Sequence, residues 1–361
     1  MFSFQKTYTL PFKYNIPNYK NDYLAQTSVF KRYLKFFKRC FYMFIKRQQN
    51  LEIFQILPKH QNILWINISA PSLGDSLMDL SSRTLLLGKK IDLFTDVKNA
   101  HIYKDDSVFN SVLTDVNLVT KSYDLVIIDS YSSRSIKIKS TVAPNTDFIG
   151  MYGHYNGPEV NRVLFSFHQM NHLLGYIKSG DEINSMAKNS IFIADKDQQK
   201  IDNINLPKKF VAIVLGGEWD YRTYNYWNQV IEKIFSLDTE TNFVFIGSDN
   251  ARDIAKELIK QFTNCNIVNC VGQYSFNQTA QIISKAQMLL CCDGGLMHAA
   301  NALNTPIIPL FARLTPAMQL TDAILSFPLF DEENVNNIAV EKVFEKYKQA
   351  LNYVDSHPQG E

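Results

Sequence analysis

The chain has 361 residues, 46% of them apolar and 20% charged, with a formal net charge of +2. That length exceeds what one ordinary core needs, so two domains are expected. The composition is that of a globular protein, the small net charge excludes a global field that demands nucleic acid, and no run of about 18 apolar residues offers a membrane span.

The N-terminal stretch MFSFQKTYTLPFKYN is broken by polar residues and prolines, so no signal peptide is read and a cytoplasmic location is expected. Residues 1–55 form a basic, aromatic segment. From Phe30 to Arg47 seven Lys and Arg side chains interleave with aromatic and aliphatic ones, and no acid interrupts them. On a helix this gives an aromatic side and a basic side, as in helices that lie on an anionic membrane surface. A helix packed on its own domain with a solvated basic face explains the pattern equally well. Nucleic acid is a distant third reading, because no matching basic surface follows.

From residue 62 the pattern is α/β. Strands are expected at Ile63–Ile68, Ile91–Thr95, Leu125–Asp129 and Phe148–Tyr152, with a helix from about Asp75 to Leu87. Short apolar runs alternating with helices predict parallel sheets covered on both faces. Residues 153–200 read as irregular apart from a helix between Asn161 and Lys178, and as the passage to a second domain. The first Rossmann-like domain is therefore set at 56–185 and the second at 186–361. In the second, strands are expected at Phe210–Leu215, Phe243–Ile246, Asn266–Val268, Met288–Cys292 and Pro306–Phe311. Helices are expected at Tyr224–Phe235, up to Phe262, at Ser275–Lys285 with Ser275 as N-cap, and at Met297–Leu303. The sequence leaves open whether a final helix, Val335–Leu351, crosses back to the first domain. The five cysteines include no C-x-x-C and read as reduced thiols, with Cys291 and Cys292 pointing to opposite faces of one strand.

Four post-strand loops carry the candidate chemistry. In Cys291–Phe311, CCDGGLMHAANALNTPIIPLF, a strand ends at Asp293, Gly294 and Gly295 follow, and a helix begins. Paired glycines let N–H groups approach an anion, and the helix start adds open donors and partial positive charge. Gly294, Gly295, Leu296 and Met297 thus read as a diphosphate cradle. Asp293 and His298 flank it. Asp293 could accept from sugar hydroxyls or cap the helix, and His298 could donate to phosphate or be a structural hydrogen-bonder. In SAPSLGDSLMDL, Ser69 to Leu80, Ser72 and Gly74 form a loop expected to turn sharply at Gly74. Asp75 could serve there as a general base, although an N-terminal helix aspartate is the plainer reading. In Gly216–Ile234, Gly216 and Gly217 precede Arg222, a fixed cation able to grip a diphosphate or to join an ion pair. Tyr224 and Trp227 read as packing groups. Asp249, after Gly247 and Ser248, could accept both hydroxyls of a ribose or be a turn residue. No G-x-G-x-x-G follows a strand, which argues against a nicotinamide oxidoreductase.

The segment from Asp293 to Phe311 resembles the C-terminal signature of the ADP-heptose:lipopolysaccharide heptosyltransferases, glycosyltransferase family nine. That signature is an acid, a Ser/Thr/Gly–Gly pair, two variable residues, a His, then a small-residue helix ending in Thr-Pro and a strand. Asp293, Gly295, His298, Ala299, Ala300, Ala302, Leu303, Thr305, Pro306 and Phe311 fit it. Gly74-Asp75 matches the family's Gly-Asp pair, and Arg222 to Trp227 resembles its Lys-Arg-Trp-Pro segment. Gly294 stands where a hydroxyl residue is usual, Arg222 replaces a Lys, and Asn225 stands where Pro is common.

The resemblance implies a GT-B fold, two Rossmann-like doubly wound domains facing across a cleft. It implies inverting, metal-independent transfer of heptose from ADP-heptose to a lipid-linked inner-core lipopolysaccharide acceptor, with no cofactor. Asp75 would be the base, and Arg222, Asp249, Asp293 and the Gly294–His298 turn would hold the donor. A peripheral contact with the inner membrane through residues 30–47 would suit such an acceptor. Two other readings are a GT-B transferase using a different nucleotide sugar for capsule or another glycan, and a non-catalytic nucleotide-binding protein of the same fold.

Overall fold

Short, β-branched, apolar runs bounded by loops pair into two parallel sheets. The computed structural model describes residues 4–18, 27–68 and 70–357. The chain divides into two units, Met1–Asn189 and Ser190–Glu361.

The first unit opens with helix α1, Val29–Ile45, capped by the Ser28 side chain. Then follow β1 (Asn62–Asn67), α2 (Leu73–Asp79), β2 (Lys90–Thr95), α3 (Val97–Tyr103), β3 (Phe109–Leu113), β4 (Leu125–Ser130), α4 (Ser133–Val142), β5 (Phe148–Gly153), α5 (Arg162–Leu173) and α6 (Gly180–Met186). Its sheet runs β3-β2-β1-β4-β5, all parallel. Strands buried on both faces explain the unbroken apolar runs. The second unit contains α7 (Asp195–Asp202), β6 (Val211–Val214), α8 (Trp227–Leu237), β7 (Phe243–Ile246), α9 (Arg252–Gln261), β8 (Ile267–Asn269), α10 (Phe276–Ser284), β9 (Met288–Cys292), α11 (Gly295–Ala302), β10 (Ile307–Ala312), β11 (Leu329–Asp331) and α12 (Val340–Ser356). Its sheet runs β11-β10-β9-β6-β7-β8, again all parallel. Cys292 belongs to the core on one face of this sheet and Cys291 to the core on the other. Ser275 forms a full capping box with Gln278 at the start of α10.

Several expectations are corrected. The helix expected from Asp75 to Leu87 ends at Asp79 and continues as a 3-10 turn over Ser81–Leu86. Ser81 bonds back to the Met78 carbonyl at 2.7 Å, a local alternative to the helical ladder. Residues 153–189 are no passage: Val163, Phe165 and Phe167 of α5 are core residues of the first unit, which runs to Asn189. The segment 1–55 also belongs to that unit. Helix α12 packs on α8 and β10 of the second unit, sealing its core with Val343, Tyr347 and Ala350. Strands β3 and β11 and helices α3, α4, α6 and α7 escaped the sequence reading; the strands and α3 are short, and α4, α6 and α7 are mostly polar, so periodicity marks them poorly. Ser69 lies outside the described residues.

Helix α1 carries the aromatic side and the basic flank read from its sequence. Met43 is buried against the first unit, so the helix is docked. Yet its solvated side is aromatic: Phe30, Phe37 and Phe44 are 74%, 69% and 66% exposed. No helix among the described residues is long and apolar enough to cross a membrane.

Candidate functional site

In each unit the strand order reverses at one place, between β1 and β4 in the first and between β6 and β9 in the second. Ligands of doubly wound sheets bind outside the carboxyl ends of the strands at such a switch point. The loops after β6 and β9 are those that carry Arg222 and the Asp293-Gly294-Gly295 turn.

These two loops meet. Arg222 Nη1 lies 3.1 Å from Asp293 Oδ2, with the carboxylate 4% exposed and the guanidinium 28%. Tyr224 and Trp227, both buried, anchor the β6–α8 loop in the core, and the Tyr224 hydroxyl donates to the Ile338 carbonyl at 3.0 Å. Gly216 turns the chain with φ +77°, and a Cβ there would meet Ala251 Cβ at 2.9 Å. Asn250 Nδ2 donates to the Gly217 carbonyl at 2.8 Å, holding this loop to the one after β7.

Gly294 is the N-cap of α11 and extended, with nothing within 4 Å of where a Cβ would stand. The space above the turn is therefore open. Met297 N–H bonds to the Gly294 carbonyl at 3.1 Å, which leaves the amides of Gly295 and Leu296 as the first-turn donors with no helical acceptor. An anion placed there meets backbone donors, the positive helix end and the Arg222 guanidinium together. Asp293 is not the cap of α11; its carboxylate faces Arg222 instead. His298 is 2% exposed, so it lies beneath the turn. Burial pushes the Cys292 thiol up to about 12, which removes it as a nucleophile. Asp249, in the loop that Asn250 ties to Gly217, pairs with Arg252 at 2.8 Å on an open surface. Arg313, after β10, was missed. Its guanidinium stacks 3.9 Å from the Tyr221 ring centre, while Arg222 lies 5.4 Å from the same ring. The signal lay in its place, immediately after a strand.

In the first unit Gly74 makes no sharp turn, for it sits in the first turn of α2. Ser72 and Asp75 form a reciprocal capping box. The other Asp75 oxygen accepts from Arg162 Nη1 at 2.8 Å. Arg162 also grips Asp79 through Nε and Nη2 at 2.9 and 2.7 Å, and the Tyr152 hydroxyl donates to Asp79 at 2.8 Å. Burial pushes the Asp79 carboxyl up, against the pull of Arg162. Sequence reading missed Arg162, Asp79 and Tyr152, because only the fold brings α5 and β5 beside α2. Asp75 is one-fifth exposed, and its carboxylate is held in one orientation by three donor groups.

Two parallel, doubly wound α/β units are the plan of the GT-B glycosyltransferases. The sequence profile of glycosyltransferase family 9 (heptosyltransferase) matches residues 155–347, just over half of the chain, and the protein belongs to that family. No curated protein sequence matches it. Among solved structures, a family 9 glycosyltransferase from Veillonella parvula is similar with a TM-score of 0.67 at 13% identity, over 81% of this chain and 97% of that one. The E. coli ADP-heptose lps heptosyltransferase II gives 0.63 at 16%, over 81% and 99%. E. coli heptosyltransferase WaaC with ADP gives 0.60 at 16%, over 80% and 99%. At such identities the likeness establishes the fold.

Proposed function

We propose that this glycosyltransferase moves heptose from ADP-heptose to a lipid-linked inner-core lipopolysaccharide acceptor, by single displacement with inversion and without a metal. The observation that carries the reading is the Arg222–Asp293 pair beside the open start of α11, at the switch point of the second sheet. The matching family and the ADP complex of a similar fold support the donor.

In the reaction, the acceptor oxygen attacks the anomeric carbon and its proton passes to Asp75. The new C–O bond forms as the bond from the anomeric carbon to the phosphate oxygen breaks. The electron pair leaves with the diphosphate, whose growing charge falls to Arg222 and the amides of Gly294, Gly295 and Leu296, the Met297 amide being taken by the Gly294 carbonyl. Asp293 orients the sugar and His298 supports the turn from below. Gly216 and Gly217 let the β6 loop approach the nucleotide, Asp249 accepts the ribose hydroxyls, and Ser72 and Gly74 shape the acceptor side. A lipid-linked acceptor places the work at the cytoplasmic face of a membrane.

Calorimetry with ADP, UDP, GDP and CMP tests the donor. ADP should bind at least about tenfold more tightly than the others, and Arg222→Ala should weaken it. Equal affinity for all four, or a preference for UDP, would overturn the heptose reading in favour of a transferase with a different nucleotide sugar.

A further inference from the structure

Helix α1 spans 17 residues, about 25 Å at the helical rise. At about 100° per residue its side chains sort into three sectors. Tyr33, Leu34, Phe37, Phe41, Phe44 and Ile45 share with Phe30 an arc of about 120°, and every one of these is exposed. Lys31, Lys35 and Lys38 flank that arc on one side.

The third sector holds the helix to the first unit. Met43 is fully buried. Arg39 Nη1 donates to the His154 carbonyl at 2.7 Å, and the Phe36 ring lies 5.0 Å from the His154 imidazole. Amphipathic helices ordinarily turn their apolar face to the core. This one is fixed by its mixed face and turns the aromatic face outward. An exposed aromatic stripe of this size marks an interaction surface.

Charge decides what covers it. Helix α1 contains no acidic residue. Among the described residues Lys31 and Lys38 have no carboxylate partner. A second copy of the same helix would bring more lysine and nothing to neutralise it. Lipid phosphates would, with the rings at the depth of the acyl boundary and the lysine stems reaching up to the headgroups.

We infer that α1 is an interfacial helix that docks the enzyme on an anionic bilayer through its outward aromatic stripe, with Lys31 and Lys38 at the headgroups. It deepens the reading of a lipid-linked acceptor and rests on it for its purpose, but its geometry is independent of the donor site. The helix lies outside the family match at residues 155–347.

The test is flotation of the full chain with vesicles of mixed phosphatidylglycerol and phosphatidylcholine, against phosphatidylcholine alone, with no nucleotide or acceptor present. The chain should bind the mixed vesicles at least about tenfold better, and added salt should weaken it. Phe37→Ser with Phe41→Ser should lower partitioning on the order of a hundredfold. Lys31→Glu with Lys38→Glu should remove the preference for anionic lipid. All four side chains are exposed, so melting temperature and ADP affinity should stay at the wild-type values. Binding that ignores lipid charge or survives the paired phenylalanine changes overturns the inference. So does a dimer that those changes dissociate while no vesicle binds. Loss of ADP binding by the wild type would defeat the donor reading and leave this result standing.

Discussion

The two units share a parallel doubly wound plan but bury charge very differently. In the first, Asp79, Arg83, Asp92, Asp106, Asp129 and Lys139 are all buried. In the second, Asp197 and Asp293 are the buried acids among the described residues, between two apolar cores on either face of the sheet. Pairs such as Lys256–Asp253 and Lys348–Glu345 stay on its surface. A buried carboxylate against a half-buried guanidinium is therefore informative in the second unit, where it sits at the switch point. In the first, burial alone says little, because the enclosed Arg83–Asp106 pair lies in the structural core, with its guanidinium over the Tyr103 and Phe109 rings.

The sharpest way to break this contrast is to remove one group from each side. Asp75→Asn should lower kcat by about three orders of magnitude while leaving ADP affinity within about twofold, since a general base contributes to the chemical step alone. Unchanged kcat would reduce Asp75 to a helix-capping residue. Arg83→Ala should destabilise the fold by about 3–5 kcal/mol in urea unfolding, because it strands the Asp106 carboxylate. Activity per folded molecule should persist. Arg222→Ala should fall mainly on function, with kcat/KM lowered about a hundredfold or more, and should cost less stability than Arg83→Ala because the Arg222 side chain is partly exposed. Weakened ADP binding in calorimetry should accompany it.

A smaller effect concerns pH. Four histidines of the first unit, His60, His154, His168 and His172, are held below the usual imidazole value, in each case mainly by burial. His154 is lowered to about 3, with the nearby Arg39 and Lys6 adding to the effect of burial. The unfolded chain takes up protons at these sites near pH 6.5 while the folded one does not, so stability is fully present above that pH and falls as pH drops from about 6.5 towards 3. His154→Phe should reduce the loss between pH 7 and pH 5 by on the order of 1 kcal/mol, read from urea midpoints. The smallest change should come from Gly294→Ser. Open space at Gly294 accepts the side chain, and a hydroxyl cap on α11 should add a few tenths of a kcal/mol to stability. A large loss of stability would show that the turn is more crowded than its geometry indicates.

Much of the second unit was legible in its order of residues. Met288–Cys292 followed by Asp293, Gly294 and Gly295 is local grammar: an apolar run, an acid, two residues without side chains, a helix. Each signal acts over a few residues, so composition and spacing determine it. The cation at 222 was legible for the same reason. The edge strands β3 and β11, of five and three residues, were not, because so short a run becomes a strand only when a neighbouring strand offers its hydrogen bonds.

What only the tertiary structure decided are the partnerships across distance. Arg162 is 87 positions from Asp75, and Arg222 is far along the chain from Asp293, yet in each case one guanidinium meets one carboxylate. The same holds for α1, whose sequence determined an aromatic side and a basic flank but not which side would meet the domain. Periodicity lays out the faces of a helix, whereas packing against a specific partner surface chooses the one left for solvent or lipid.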